Sequence, residues 1–304
     1  MGIVVPFIKN LSITQDEANS TVLQVARRCN RNISDSRIYK ACRKGEIRLN
    51  GGRTKFSQRV QVGDVLRIPI YSPTPKICMP VPIWFNSCIL HEDDHVIVIN
   101  KPAGLSVHAG SHGEQGLIEI MRQEPRWSEA KLDLIHRLDK ETSGIILVAK
   151  TLTFRREMAE QFKQRKLKKT YFALLVGHMP NEIKTLEHKL LSAYTKVVED
   201  VNGKTAITKV LEKHYFTDKD SQLFTKVKLR PITGRKHQLR VQCAITGYPI
   251  FCDPIYGKKQ QEKLFLHAAE LCYIDPMSGQ SKKFTAPLPP EKINCLQSLR
   301  ITNL

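Results

Sequence analysis

Residues 134–150 read LIHRLDKETSGIILVAK. The second half, IILVAK, is a short continuous apolar run of the kind a strand shows when both its faces are buried. The first half, HRLDKETSG, is polar and rich in turn formers, so it reads as a loop feeding that strand. Gly144 there allows a backbone conformation that other residues resist. Within eight residues the loop gathers an imidazole (His136), a guanidinium (Arg137), a carboxylate (Asp139) and two hydroxyls (Thr142 and Ser143). Such groups can serve acid–base chemistry, or they can cap a turn and pair with a surface acid, and composition does not choose between these. A hydrolase triad is the other obvious reading, but no G-x-S-x-G elbow accompanies it.

Similar strand-like runs surround this stretch: HVIVINKPAG, TYFALLVGH, AITKVLEKHYF, LFTKVKLRPI and LFLHAAELCYI. Helical patterns are interspersed at residues 154–166 and 235–246. A β-rich order with few βαβ repeats predicts an α+β domain built on a largely antiparallel mixed sheet. It is expected to occupy residues 89–304. The run KQRKLKK (residues 163–169) places five positive charges just before Tyr171.

Charge marks a second region. The 304 residues carry 48 Lys+Arg against 29 Asp+Glu, a formal net charge of +19. Residues 21–76 hold 13 of the bases and only three acids. A surplus on this scale favours a polyanionic partner, nucleic acid before membrane surface. Two helices are predicted here, at 21–29 and from an N-cap at Ser34 to Gly45, followed by short strands. Arg37, Lys40, Arg43 and Lys44 recur at helical spacing on the second helix, a stripe able to follow a phosphate backbone. The expected organisation is an extension at 1–19, a basic module at 20–75 and a proline-rich linker at 76–88, where Pro80 and Pro82 follow Pro73 and Pro75.

No apolar run approaches the roughly 18 residues that span a bilayer. Residues 1–8 lack the marks of an export signal, and Pro6 stands where a myristoylation motif requires Ser or Thr. The expected location is therefore the cytoplasm, without membrane association. Eight cysteines never form C-x-x-C, so reduced thiols are expected rather than disulfides or zinc. No dinucleotide, phosphate-cradling or metal motif is evident, and no cofactor or metal is expected.

SRIYKACRKGEIRLNGG followed by VQVGDVLRI resembles the alpha-L RNA-binding domain over residues 20–75. HRLDKETSGIILVAK resembles the H-R-L-D-x-x-T-S-G-x-x-L-x-A-K signature of the RluA family of pseudouridine synthases. NKPAGLSVH, KKTYFALLVG, PITGRKHQLRVQCAITGYPI and DPIYG follow that family's pattern in order, from about residue 90 to 287.

This resemblance implies isomerisation of an RNA uridine without a cofactor. It implies Asp139 as the catalytic carboxylate, acting either by attack at the ribose or by removal of a sugar proton. Tyr171 is implied to stack on the uracil and assist proton removal from its carbon 5. Arg240 is expected to pair with Asp139, with Arg235 as the alternative, and Leu239 to lie beside the base. Arg137 is expected to fill the space left by the flipped nucleotide, and His136 to lie among the substrate-binding residues. Lys101 and Pro102 are expected to shape a loop near the site. Lys236, Gln242 and Cys252 depart from common members of the family, which puts target preference or local packing in question.

The flanking sequences resemble the branch that modifies three uridines of 23S ribosomal RNA. The expected partner is that RNA, or an assembling large ribosomal subunit, met by a monomeric enzyme. A related synthase for other ribosomal or transfer RNA uridines is one alternative. An inactive RNA-binding assembly factor is another, disfavoured by the intact Asp139 loop and Tyr171.

Overall fold

The structure, a computed structural model, describes residues 7–30, 35–71, 82–108, 115–193, 196–258 and 263–301. The chain divides into two compact units, Met1–Pro80 and Val81–Leu304.

The small unit contains β1 (Phe7–Ser12), α1 (Val22–Cys29), α2 (Asp35–Lys44), β2 (Arg48–Leu49), β3 (Gly52–Arg53) and β4 (Val65–Ile70). Its four-stranded sheet has the order β1-β4-β2-β3. Thr21 opens α1 through a capping box with Gln24, which satisfies donors the first turn would otherwise leave bare. Val22, Val25 and Ala26 of α1 meet Ile38, Ala41 and Cys42 of α2 over Leu66 and Ile68 of β4. That inward face leaves Arg37, Lys40, Arg43 and Lys44 exposed together. Ser34 lies outside the described residues, as do residues 72–81, which include Pro80 of the predicted linker.

Two expected boundaries need correction. β1 pairs along its whole length with β4, from Phe7 opposite Ile70 to Ser12 opposite Val65, so residues 7–12 of the expected extension are an edge strand of the small unit. Residues Ile83–Cys88 form a short helical turn whose Phe85 is fully buried against Ile97 and Trp127. They belong to the large unit, because Phe85 contributes to its core; an aromatic shortly after two prolines gave little sign of this.

The large unit runs β5 (Ile89–Glu92), β6 (Val96–Lys101), α3 (Leu117–Met121), β7 (Asp133–Leu134), β8 (Ser143–Ala149), α4 (Leu152–Lys163), β9 (Lys168–Val176), β10 (Thr185–Ala193), β11 (Lys196–Glu199), β12 (Lys204–Thr217), β13 (Leu223–Pro231), α5 (Gln238–Ile245), β14 (Leu266–Ile274), β15 (Ser281–Thr285) and α6 (Pro290–Ser298). One 11-stranded sheet has the order β11-β10-β12-β13-β9-β14-β8-β6-β5, with β15 on β14 and β7 on β8. Its described ladders are antiparallel except β14 with β8, so the fold is the expected α+β with a mixed, largely antiparallel sheet.

β8 explains its own composition. Ile146 and Val148 enter one core with Ile97 and Ile99, while Ile145 and Leu147 enter another with Phe154 and Met158 of α4. Both faces are buried, so alternation disappears, and each such side chain contributes roughly 1.5–3 kcal/mol. Gly144, with φ +113°, faces Ala268 in the parallel pair, and a Cβ there would lie 2.3 Å from the Ala268 carbonyl oxygen. A glycine is required for the two strands to approach so closely.

Candidate active site

Lys101, at the end of β6, is fully buried. Its ammonium donates to the carbonyls of Pro102 (2.8 Å), Leu105 (2.8 Å) and Lys140 (3.1 Å), and the Gly104 N–H donates to the same Lys140 oxygen at 2.9 Å. Three protons meet three acceptors, so this one side chain fastens the NKPAG turn to the loop that carries Asp139. Burial pulls the Lys101 amine down to about 7 against the opposing charges of Glu141 and Asp139.

On the other side of the loop, His136 accepts a hydrogen bond from the Leu147 N–H at Nε2, 3.2 Å. An acceptor at Nε2 requires the neutral ring. Burial, with the nearby Lys169 charge, pushes the imidazole down to about 3, so His136 stays neutral and braces the loop against β8.

Ser143 and His267 form a hydroxyl–imidazole pair at 2.9 Å, with Nε2 of His267 donating to the Ala286 carbonyl at 3.2 Å. The ring therefore accepts the Ser143 proton at Nδ1. Both residues have no exposed surface, so this pair stitches β8 to β14 and is closed to a substrate; it is no hydrolase dyad.

Asp139 opens onto a cavity of about 580 Å³ that is also lined by His136, Arg137, Tyr171, Arg235, Leu239 and Arg240. A second cavity of about 530 Å³ shares Arg137, Leu138, Asp139, His237 and Arg240 with the first, which puts Asp139 where the two meet. The expected residues thus converge from three elements: the loop before β8, strand β9, and the turn entering α5. The basic stripe of the small unit forms no part of this cavity lining.

Arg240 is not simply the partner of Asp139. Its Nε and Nη2 donate to the two oxygens of Asp253 at 2.8 and 2.7 Å, while Nη1 stands 3.7 Å from Asp139 Oδ2. Burial pushes the Asp253 carboxyl up, but the Arg240 bonds and charge, with the amides of Ile255 and Tyr256, bring it below the ordinary carboxylate range. Asp253 is the residue that sequence reasoning missed; DPIYG was quoted without a role. Arg235 bonds the Thr205 carbonyl through Nε at 3.1 Å and makes no ion pair with Asp139.

His237 was also missed. It adopts φ +52°, places Nε2 4.0 Å from Asp139 Oδ2, and holds Nδ1 2.9 Å from the Tyr256 hydroxyl. Burial lowers its pKa while Asp139 opposes.

Tyr171 is 7 % exposed and lines the cavity. Burial, then the Asp139 charge, raises its phenol well above the ordinary range, so the hydroxyl stays protonated. The family departures resolve into packing at two positions. Gln242 is fully buried and bonds Thr208, Leu186 and Ala206, and Cys252 takes φ +58°, a conformation that suits glycine.

A carboxylate between a fixed guanidinium and a histidine, beside a buried aromatic and an open cavity, is the arrangement of a candidate enzyme site. Residues 95–245 match the family described as RNA pseudouridylate synthase. The chain is 34% identical over 314 residues to ribosomal large subunit pseudouridine synthase C of Vibrio cholerae, covering 96% of this chain and 97% of that protein. It is 33% identical over 315 residues to the Escherichia coli K12 protein of the same name, covering 97% and 98%. Among solved structures, human RNA pseudouridylate synthase domain containing 4 superposes with a TM-score of 0.57 at 26% identity, over 71% of this chain and 94% of that one. The chain belongs to the RNA pseudouridylate synthase family. It is an RNA pseudouridine synthase, an isomerase.

Proposed function

We propose that this enzyme isomerises uridines of 23S ribosomal RNA at the three-position class, acting in the cytoplasm on the free RNA or an assembling large subunit. The observation that carries this reading is identity extending along nearly the full length of two large subunit synthases C, small unit included.

In this reading Asp139 is the catalytic carboxylate. Arg240, fixed by Asp253, faces it with a permanent positive charge 3.7 Å away. The uracil stacks on Tyr171 with Leu239 alongside, a contact worth about 1–3 kcal/mol per base. The resting phenol is protonated, so Tyr171 assists loss of the carbon 5 proton by accepting it while passing its own hydroxyl proton to solvent in the cavity, rather than as a phenolate. Arg137, exposed on the lip shared by both cavities, supplies a planar permanent charge for the space a flipped nucleotide leaves. His136 acts by bracing the loop. The small unit, read as an alpha-L-type domain, holds the RNA backbone through Arg37, Lys40, Arg43 and Lys44.

Mapping pseudouridines in ribosomal and transfer RNA from cells with and without the protein tests the target. The expected result is loss at three positions of 23S RNA alone. Loss in other RNAs with 23S unchanged points to the related-synthase alternative, and no loss anywhere points to the inactive assembly factor.

A further inference from the structure

Of the five basic residues in the 163–169 run, Lys163, Arg165, Lys166 and Lys168 are exposed, and Lys169 turns inward. It lies two residues before Tyr171 on β9, so both side chains leave the same face of the strand. Both line the Asp139 cavity. The Lys169 ammonium sits 5.0 Å from the centroid of the Phe162 ring and makes no hydrogen bond or ion pair with a described residue. Asp139 is the one carboxylate among the residues lining this cavity, and Arg240 and His237 already face it. The ammonium therefore has unused donors in the cavity that Tyr171 also lines.

We propose that Lys169 is a further catalytic residue: it donates a hydrogen bond to a carbonyl oxygen of the uracil on Tyr171 and stabilises the negative charge the base carries after leaving the ribose. This rests on the stacking role of Tyr171 proposed above. The bond from N1 to C1′ breaks with its electron pair on the base, spreading charge over N1, O2 and O4. The base turns, C5 bonds to C1′, the C5 proton departs and N1 gains one, so the product is an isomer. Lys169 transfers no proton in this sequence; it lowers the energy of the anion. A preorganised donor in a partly desolvated site typically accounts for about 10²–10³ in rate.

Burial pulls the Lys169 amine down to about 8. The groups facing it are the neutral His136 from the loop and the uncharged Phe162 and Ala159 from α4. Arg137, Asp139, Arg235, Lys236, His237 and Arg240 complete the charged lining of the cavity. An ammonium that titrates near 8 makes the rate fall on the alkaline side.

The test is single-turnover tritium release from RNA carrying [5-³H]uridine, from pH 6 to 9.5, for wild type, Lys169→Met and Lys169→Arg, with RNA affinity measured separately. The Met enzyme is expected to lose about 100-fold in rate with affinity within about twofold. The Arg enzyme is expected to keep measurable rate and lose the decline above pH 8, since a guanidinium does not titrate there. A Met enzyme as fast as wild type, or one whose loss lies wholly in affinity, overturns the proposal. Should the Met enzyme be unfolded by circular dichroism, a decline above pH 8 that persists in the Arg enzyme overturns it. Failure of the stacking reading is separately visible, because Tyr171→Ala would then retain full rate while Lys169→Met alone is impaired.

Discussion

Asp253 and Arg240 are joined through Nε and Nη2 at 2.8 and 2.7 Å, and neither is more than 3% exposed. The pair fixes the guanidinium plane so that Nη1 faces Asp139. Asp253→Asn keeps the shape but removes the negative charge and turns one of the two acceptors into a donor, leaving the more distant Asp139 as the carboxylate facing the buried cation. Breaking a buried pair in this way destabilises by about 3 kcal/mol. Urea unfolding of the purified variant measures this, and a loss under about 1 kcal/mol contradicts it.

Gly144 and Gly104 both have positive φ, but only Gly144 has a neighbour, the Ala268 backbone, inside Cβ range. Gly144→Ala is expected to lose more than about 3 kcal/mol or fail to accumulate as soluble protein, whereas Gly104→Ala bears only conformational strain of about 1–2 kcal/mol. Thermal denaturation of the two variants side by side checks the difference.

The folded-state pKa of His136, about 3, lies below the unfolded value of about 6.5. Between those values the unfolded chain binds the extra proton, so stability falls as pH falls through that window. His136→Gln removes the titrating ring and offers an amide oxygen to the Leu147 N–H. Between pH 7 and 5 the wild type should lose about 2 kcal/mol more than this variant, measured by urea unfolding at each pH. Equal losses would mean that the neutral ring is not required. His267, pushed to about 4 by burial, contributes with the same sign in both proteins.

Lys40 and Arg43 stand exposed on α2 beside Arg37 and Lys44. If they meet phosphates, Lys40→Gln or Arg43→Gln should each reduce the slope of log affinity against log salt by about 1. An unchanged slope in both variants removes this face from the RNA contact.

The strands were legible because their signal is local: IILVA, residues 145–149, has no polar residue to place outward, and β8 is indeed covered on both faces. Asp139, Tyr171, Arg240 and Leu239 were legible through a motif, and the fold brings all four to one cavity. Asp253 and His237 were not. Their roles depend on a guanidinium 13 positions from Asp253 and on a left-handed turn at His237, neither of which has a periodicity to detect. β1 was missed for a related reason. Its side chains are mostly exposed and its stability comes from the backbone ladder with β4, which leaves little mark on composition. Lys169 was seen as one of five charges, and only the phase of β9 separates it from the rest.

The central claim is that Asp139 carries the chemistry. Tritium release from [5-³H]uridine in 23S RNA by Asp139→Asn measures it most directly, alongside RNA affinity and thermal stability. The account predicts no release above background, with affinity and folding retained. An Asp139→Asn enzyme that releases tritium at the wild-type rate would contradict it.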